Sequence, residues 1–153
     1  MKQKELLREY IRILDIHTNR LQTALDQAHT FMPITSQTIT ELPLFESYCL
    51  EVINSRFGKI QDDLGNKVFP LVLEIGNKNS YAFLDKLNLL EKDGFLESAQ
   101  EWLELRKLRN IIAHDYEDDS QALAIHTNKL IIKAQELLGY WVSLKPKLQK
   151  LAE

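Results

Sequence analysis

Apolar residues recur at intervals of three and four along almost the whole chain, and this spacing constrains the fold more than any other feature. The first such run comprises Leu7, Tyr10, Ile11, Leu14, His17, Leu21, Leu25 and Ala28. Residues spaced in this way share one face of an α-helix, whereas a half-buried strand needs strict alternation. No segment reads as a strand, and there is no internal repeat or interdomain linker. The sequence therefore predicts an all-α protein.

Prolines and glycines divide the first half of this pattern. A first helix is predicted over residues 2–31, because Pro33 follows it. A second is predicted over about 44–69, directly after Pro43, although Gly58 lies inside it and costs a helix interior about 1 kcal/mol relative to alanine. The apolar stretch "PLVLEIG" that follows fits either a helical turn or a buried connector.

Capping residues mark the remaining helices. The third is predicted to begin at Asn79 or Ser80 and to stop before Gly94. The fourth begins near Ser98, whose Ser-x-x-Glu spacing has the form of a capping box, and reaches about residue 112. The fifth begins at the acid-rich "DYEDDS" and is predicted to fray beyond Pro146. Together these segments predict one domain over residues 1–153, an antiparallel four-helix bundle with an additional shorter helix.

Composition limits the classes of function. The formal net charge of −3 argues against a broadly basic nucleic-acid-binding surface, but it allows a local basic pocket. Cys49 is the only cysteine, which excludes an intramolecular disulfide and fits a reducing compartment. The sequence has neither a signal-peptide pattern nor an apolar run of membrane-spanning length. We therefore expect a cytoplasmic protein with no membrane partner.

The stretch "RNIIAHDY", residues 109–116, holds the candidate site. Arg109 and His114 are five residues apart, about 140° around a helix, so a long arginine could still bring both tips to one pocket. Asn110 and His114 are four apart and share a helix face, and Tyr116 follows just past the expected helix end. On spacing alone, a helix-end histidine that interacts with the helix dipole is favoured over a functional site.

This stretch resembles the Arg-x4-His-x-Tyr signature of the HEPN superfamily, and specifically its HepT branch, which is paired with minimal nucleotidyltransferases. Asn110, the aliphatic pair and the acidic residue before Tyr116 also match. The resemblance implies a helical-bundle ribonuclease toxin that is metal-independent and dimeric. It also implies a partner antitoxin that uses ATP to attach AMP to Tyr116.

The residues suit that chemistry. RNA carries its own nucleophile, the 2′-hydroxyl, so cleavage needs neither an activated serine nor a metal. His114 would act as acid or base near neutral pH, Arg109 would neutralise charge on the phosphorus oxygens, and Asn110 would assist. One histidine is sparse for both proton transfers, so we expect a two-fold homodimer that brings two copies to one cleft. The apolar residues also exceed what the core of a small bundle needs, so we expect the dimer to bury part of this surplus, which includes Phe45, Phe57, Phe69 and Leu71.

We therefore predict an endoribonuclease toxin that acts on tRNA or mRNA without a cofactor of its own, with ATP and Mg²⁺ used by the antitoxin. The chain has no phosphate-binding glycine loop. Two alternatives stay open. The chain could be a non-catalytic adaptor that binds a nucleotidyltransferase and accepts nucleotides, or a helical interaction module with no chemistry.

Other polar residues are less informative. His17 and His126 fall on apolar faces and are interpreted as core or near-core histidines, and Cys49 as a packing residue. His29 shares no metal-ligand spacing with them. Arg56 and Lys59 could extend a phosphate-binding surface, but a solvated or interface role is favoured.

Overall fold

The protein is described by a computed structural model that covers residues 2–78, 82–113 and 119–153, with only the backbone of residues 110–113. The helices are α1 (Lys2–Ala28), α2 (Leu44–Asp63), α3 (Phe69–Ile75), α4 (Phe83–Lys92), α5 (Ala99–Ala113) and α6 (Ser120–Leu151). A π-helical turn, Leu64–Val68, joins α2 to α3, and a 3-10 turn, Thr38–Thr40, lies between α1 and α2. These residues contain no strand, which confirms the all-α prediction.

The first half of the chain follows the predicted boundaries closely. α1 ends at Ala28, three residues early, because the backbone closes into a turn in which the amides of Phe31 and Met32 donate to the carbonyl of Ala28. α2 begins at Leu44, directly after Pro43, as predicted, but it ends at Asp63 rather than near residue 69, because the helical path widens there into the π-helical turn Leu64–Val68. The segment "PLVLEIG" is helical within α3, and Phe69, Leu71, Val72 and Leu73 are buried there.

Side-chain caps begin α5 and α6. The Ser98 hydroxyl accepts a hydrogen bond from the amide of Glu101 at 3.1 Å, which supports the predicted start of α5. Asp119 does the same for α6, accepting from the amide of Ala122 at 3.0 Å. Gly94 follows α4 with a positive φ of 85°, the backbone conformation that favours glycine after a helix. The predicted start of the third helix at Asn79 or Ser80 is wrong, because Ala82 has an extended backbone and α4 begins only at Phe83. Asn79 and Ser80 themselves lie outside the described residues.

The predicted fraying beyond Pro146 is wrong, because α6 continues to Leu151. A proline inside a helix costs about 3 kcal/mol. Leu148 and Ala152, beyond it, are 0% and 2% exposed, whereas Pro146 itself is exposed. Burying a leucine side chain contributes about 1.5–3 kcal/mol, so the packing of this last stretch offsets the cost of the proline.

The long helices pack antiparallel around one core. The Cys49 thiol on α2 donates to the carbonyl of Ala24 near the end of α1, whereas Lys67, past the end of α2, lies over the ring of Tyr10 near the start of α1. α6 also runs against α1, since Arg8 hydrogen-bonds the carbonyl of Ala152. α5 contacts α2, α4 and α6. The described helices thus form a bundle, with buried residues from all six in one apolar cluster.

Three of the residues expected to be surplus to the core are part of it. Phe57, Phe69 and Leu71 are 0%, 2% and 5% exposed, so a dimer is not needed to bury them. The expectation was wrong for these because a single chain of this size can bury roughly two-thirds of its surface. Phe45 is 70% exposed and Tyr48 is 53% exposed on the first turns of α2.

Candidate functional site

Of the four residues predicted to form the site, the structure places one in full. Arg109 lies in the second half of α5, and Asn110 follows it in the same helix, without a described side chain. His114 and Tyr116 lie outside the described residues. The described part of the candidate site therefore consists of Arg109 and the helix that it contacts.

Arg109 lies against the backbone of α2 at Gly58. A β-carbon added at Gly58 would overlap Nε of Arg109, closer than real β-carbons approach other atoms, and it would stand 3.0 Å from Cζ of the same side chain. The glycine inside α2 thus has a specific spatial reason: any larger residue would take the space occupied by the arginine. Arg109 is consequently held at the α2–α5 contact rather than extending freely into solvent.

The guanidinium of Arg109 has one carboxylate nearby among the residues that the structure describes. Its Nη2 is 3.6 Å from Oδ2 of Asp62, one turn after Gly58 on α2, and the two side chains are 30% and 54% exposed. An exposed pair at this distance contributes about 0–1 kcal/mol and is screened by salt. An incoming phosphate could therefore replace Asp62 as the counter-ion of Arg109 at little cost.

Two buried polar side chains, one on α5 and one on α2, lack hydrogen-bond partners among the described residues. Nε of Arg109 is buried, and within the described part of the chain it has no hydrogen-bond acceptor. Gln61 is 3% exposed, and neither its amide oxygen nor its amide nitrogen has a partner there. A buried polar group without a partner costs about 1–3 kcal/mol. Such groups are uncommon in folded proteins, and here both lie on the elements that hold Arg109.

Sequence reasoning missed Gly58, Gln61 and Asp62 as parts of this region. Gly58 was the one signal available, because a glycine costs a helix interior about 1 kcal/mol relative to alanine and such a cost can have a packing reason. Asp62 and Gln61 look like ordinary helix residues when the sequence is considered alone.

The histidine and cysteine interpretations have different outcomes. Cys49 is buried and burial raises the pKa of its thiol, as expected for a packing residue. His17, predicted to be a core or near-core histidine, is near-core, since its side chain is 14% exposed. Its ring also contacts the guanidinium of Arg56 at 2.7 Å, so it belongs to a charged cluster between α1 and α2 as well. His29 contacts Gln135 at 2.9 Å.

A cavity of about 400 Å³ between α5 and α6 has acidic side chains in its lining, in contrast to the positively charged guanidinium of Arg109. Its lining includes Glu97, Glu101, Glu104 and Glu136, and Lys133, which also lines it, is paired with Glu136 at 3.0 Å. Carboxylates repel phosphate groups, so this cavity is a poor place for nucleic acid. Any phosphate-binding surface must lie elsewhere on the molecule.

Within residues 2–78, 82–113 and 119–153, no group of three or more His, Cys, Asp or Glu side chains is arranged to hold a metal ion. In the same part of the chain, no helix combines the length and the apolar character needed to cross a membrane.

Comparison with known proteins gave no relatives. No protein-family model, curated protein or solved structure matches this chain.

Proposed function

We propose that this chain is a HEPN-type endoribonuclease toxin that cleaves RNA without a metal ion. The proposal rests on the position of Arg109, the first residue of the Arg-x4-His-x-Tyr stretch. Its guanidinium occupies space that a glycine leaves open and has an exposed carboxylate at 3.6 Å as counter-ion. A cation held in this way suits the stabilisation of charge on a phosphate.

The proposed reaction is an internal transesterification. The 2′-oxygen of one ribose attacks the adjacent phosphorus, a 2′-O–P bond forms and the P–O5′ bond breaks. His114 accepts the proton of the 2′-hydroxyl, and a second acid, the His114 of a dimer mate, donates a proton to the leaving 5′-oxygen. Arg109 neutralises the phosphorus oxygens, and Asn110 assists. The products are a 2′,3′-cyclic phosphate and a 5′-hydroxyl.

Control of this activity is proposed to act on Tyr116. A phenol has a pKa of about 10 and is a poor base at neutral pH, so Tyr116 is not assigned to the cleavage step. A partner nucleotidyltransferase, holding ATP and Mg²⁺, would attach AMP to the Tyr116 hydroxyl and release pyrophosphate. The new phosphate would compete with RNA for Arg109, by the same charge effect as phosphorylation.

The decisive experiment is incubation of the purified chain with total RNA and with tRNA in EDTA. We expect cleavage that leaves cyclic phosphate ends and that Arg109→Ala and His114→Ala each abolish. Arg12→Ala is the matched control, because Arg12 is an exposed arginine of α1 paired with Glu9. Full cleavage by either motif variant, with a helical circular dichroism spectrum, would contradict the assignment.

The second candidate is a non-catalytic adaptor that accepts nucleotides from the transferase. It is favoured by the net charge of −3 and by the acidic cavity between α5 and α6, neither of which attracts RNA. Intact mass spectrometry after incubation with the transferase, ATP and Mg²⁺ separates the two. An AMP adduct on a chain that never cleaves RNA would favour the adaptor.

A further inference from the structure

A group of charged side chains lies where α1 packs against α2. We call it the seam cluster, and its members are His17, Arg56, Lys59, Asp63 and Lys67. The imidazole of His17 joins the two helices, because it contacts both Arg56 and Asp63 on α2. Lys67 is 3.3 Å from the other carboxylate oxygen of Asp63.

The contact between His17 and Arg56 fixes the protonation of the ring. Nη1 of Arg56 lies 2.7 Å from Nδ1 of His17, and a guanidinium can only donate. Nδ1 therefore accepts, and the ring proton is on Nε2, which lies 3.6 Å from Oδ2 of Asp63. His17 is neutral in this arrangement.

The surroundings favour the neutral ring. The pKa of His17 is lowered, first by burial and then by the positive charges of Arg56, Lys59 and Lys67, whereas Asp63 opposes the effect. The cluster thus has more positive charge than one carboxylate can balance.

The seam cluster is locally cationic in an acidic protein. It has three fixed positive charges, on Arg56, Lys59 and Lys67, and one negative charge, on Asp63. Among the residues described by the structure, neither Arg56 nor Lys59 has a carboxylate within 4.0 Å, and Lys59 is exposed. Arg56 is half-buried, faces the neutral ring of His17 and has no described carboxylate within 4.0 Å, so an anion could bind beside it.

The cluster connects with the surface beside Arg109. Arg56, Lys59 and Asp62 follow one another at intervals of three residues on α2, so they are neighbours around its surface. Asp62 is the residue paired with Arg109. A strip of α2 thus leads from Arg56 through Lys59 to the guanidinium of Arg109.

We propose that His17, Arg56 and Lys59 form a second phosphate subsite, which binds the RNA backbone beside the phosphate held at Arg109. This inference rests on the proposed function for the identity of the strand. Backbone contacts position an RNA strand without reading its sequence, so the subsite orients the substrate and takes no part in the chemistry.

Binding at this subsite is coupled to proton uptake. A phosphate beside the seam cluster supplies the missing negative charge and so favours the imidazolium form of His17. A protonated Nδ1 can no longer accept from Arg56, and the released guanidinium can then donate to the phosphate. Lys59 and Lys67 oppose the protonation and Asp63 favours it, as in the free protein.

The test is a binding titration with a 2′-O-methyl oligoribonucleotide of about ten nucleotides, long enough to pass several phosphates across the surface. This probe cannot be cleaved, because its 2′-oxygen is blocked. Fluorescence anisotropy is measured over a range of salt concentrations for the wild type, Arg56→Gln and Lys59→Gln. Arg12→Gln is the control, since it removes one charge from α1 where Glu9 already balances it.

We expect both cluster variants to bind more weakly. The slope of log affinity against log salt should become shallower by about 0.7 for each phosphate that the variant no longer neutralises. Arg56→Lys keeps the charge but not the planar fork, so it should retain most of the slope even if it weakens the hydrogen bond with His17. His17→Gln should remove the part of the affinity that rises as the pH falls towards 6.

The outcomes separate this inference from the proposed function. Wild-type slope and affinity in Arg56→Gln and Lys59→Gln would overturn the subsite while leaving the cleavage assay to decide the enzyme. Weakened probe binding by these variants, in a chain that cleaves no RNA, would support the subsite and overturn the ribonuclease. A wild-type chain that does not bind the probe at all would overturn the subsite.

Discussion

The side chain of Arg109 occupies the space that a β-carbon of Gly58 would take. This relationship joins α5 to α2 through one residue that has no side chain and one that has a long charged side chain. It also separates two properties that mutations usually change together, the stability of the helix and the position of the guanidinium.

Replacing Gly58 by alanine should therefore preserve the fold and impair the function. Alanine favours a helix interior by up to about 1 kcal/mol over glycine, and the clashing atoms belong to a flexible side chain that can move away. The displaced guanidinium should lower RNA cleavage by about tenfold to a hundredfold, as expected for a misplaced catalytic group. Thermal unfolding and a cleavage assay on the same preparation measure both effects.

Gly139→Ala is the matched control for that variant, because a β-carbon at Gly139 on α6 would meet no atom within 4 Å in the described part of the chain. It should gain helix stability and keep full activity. Undiminished cleavage by Gly58→Ala would mean that the observed position of Arg109 is unimportant for the reaction.

Asp62→Asn should strengthen RNA binding. The exposed carboxylate is 3.6 Å from Arg109 and competes with an incoming phosphate. Removing it should raise affinity for an uncleavable RNA by about two- to fivefold at low salt, the equivalent of one exposed ion pair, and change unfolding little. The gain should shrink as salt rises. Glu9→Gln, in the exposed pair with Arg12, should leave binding unaltered; weaker binding by Asp62→Asn would instead make Asp62 a positioning residue.

Asp15 should contribute to stability mainly through Trp141. Its Oδ1 accepts from Nε1 of Trp141 at 3.0 Å, and its Oδ2 accepts from Nζ of Lys145 at 2.6 Å. Trp141 is 4% exposed, so Asp15→Ala leaves a buried donor unpaired and should cost about 1–3 kcal/mol in urea unfolding. Asp15→Asn keeps an acceptor and should cost less. Equal losses in the two variants would place the energy in the Lys145 ion pair.

The free energy of unfolding should decrease as the pH falls, partly because of His17. Its pKa is lowered in the folded chain, chiefly by burial, so the folded state binds fewer protons than the unfolded state in mildly acidic solution. The contribution of His17 to the free energy of unfolding is fully present above the pKa of the unfolded state, about 6.5, and is lost as the pH falls through the lower pKa of the folded state. His17→Gln keeps an acceptor for Arg56 but cannot titrate. Its melting temperature should therefore decline less than that of the wild type between about pH 7.5 and 5.5, a window that brackets the unfolded value, and parallel declines would contradict the assignment.

The sequence was informative wherever the determining contact is local. Pro43, Ser98 and Asp119 mark helix starts through bonds within a few residues, and Gly94 marks an end through its own backbone angle. Pro146 misled because its local cost is real, while the burial of Leu148 that outweighs it comes from other helices.

The candidate site was predictable only in part for the same reason. Arg109 could be singled out from a short pattern, but its position depends on Gly58 and Asp62, which lie far earlier in the chain on another helix. His17 lies at a position that fits the spacing of apolar residues in α1. That spacing alone therefore cannot reveal that the ring of His17 contacts Arg56 and Asp63 of α2. His114 and Tyr116 stay predictions.

The π-helical turn at Leu64–Val68 makes chain length a sensitive property of this joint, beside the identity of its buried residues Leu64 and Val68. Each residue advances an α-helix by about 100°, so a chain one residue shorter here would rotate α3 by that angle relative to α2. Phe69 and Val72 would then turn away from the core in which they are now buried. A substitution at the exposed Asn66 or Lys67 changes one side chain, whereas an insertion or deletion in this turn shifts every residue of α3 at once.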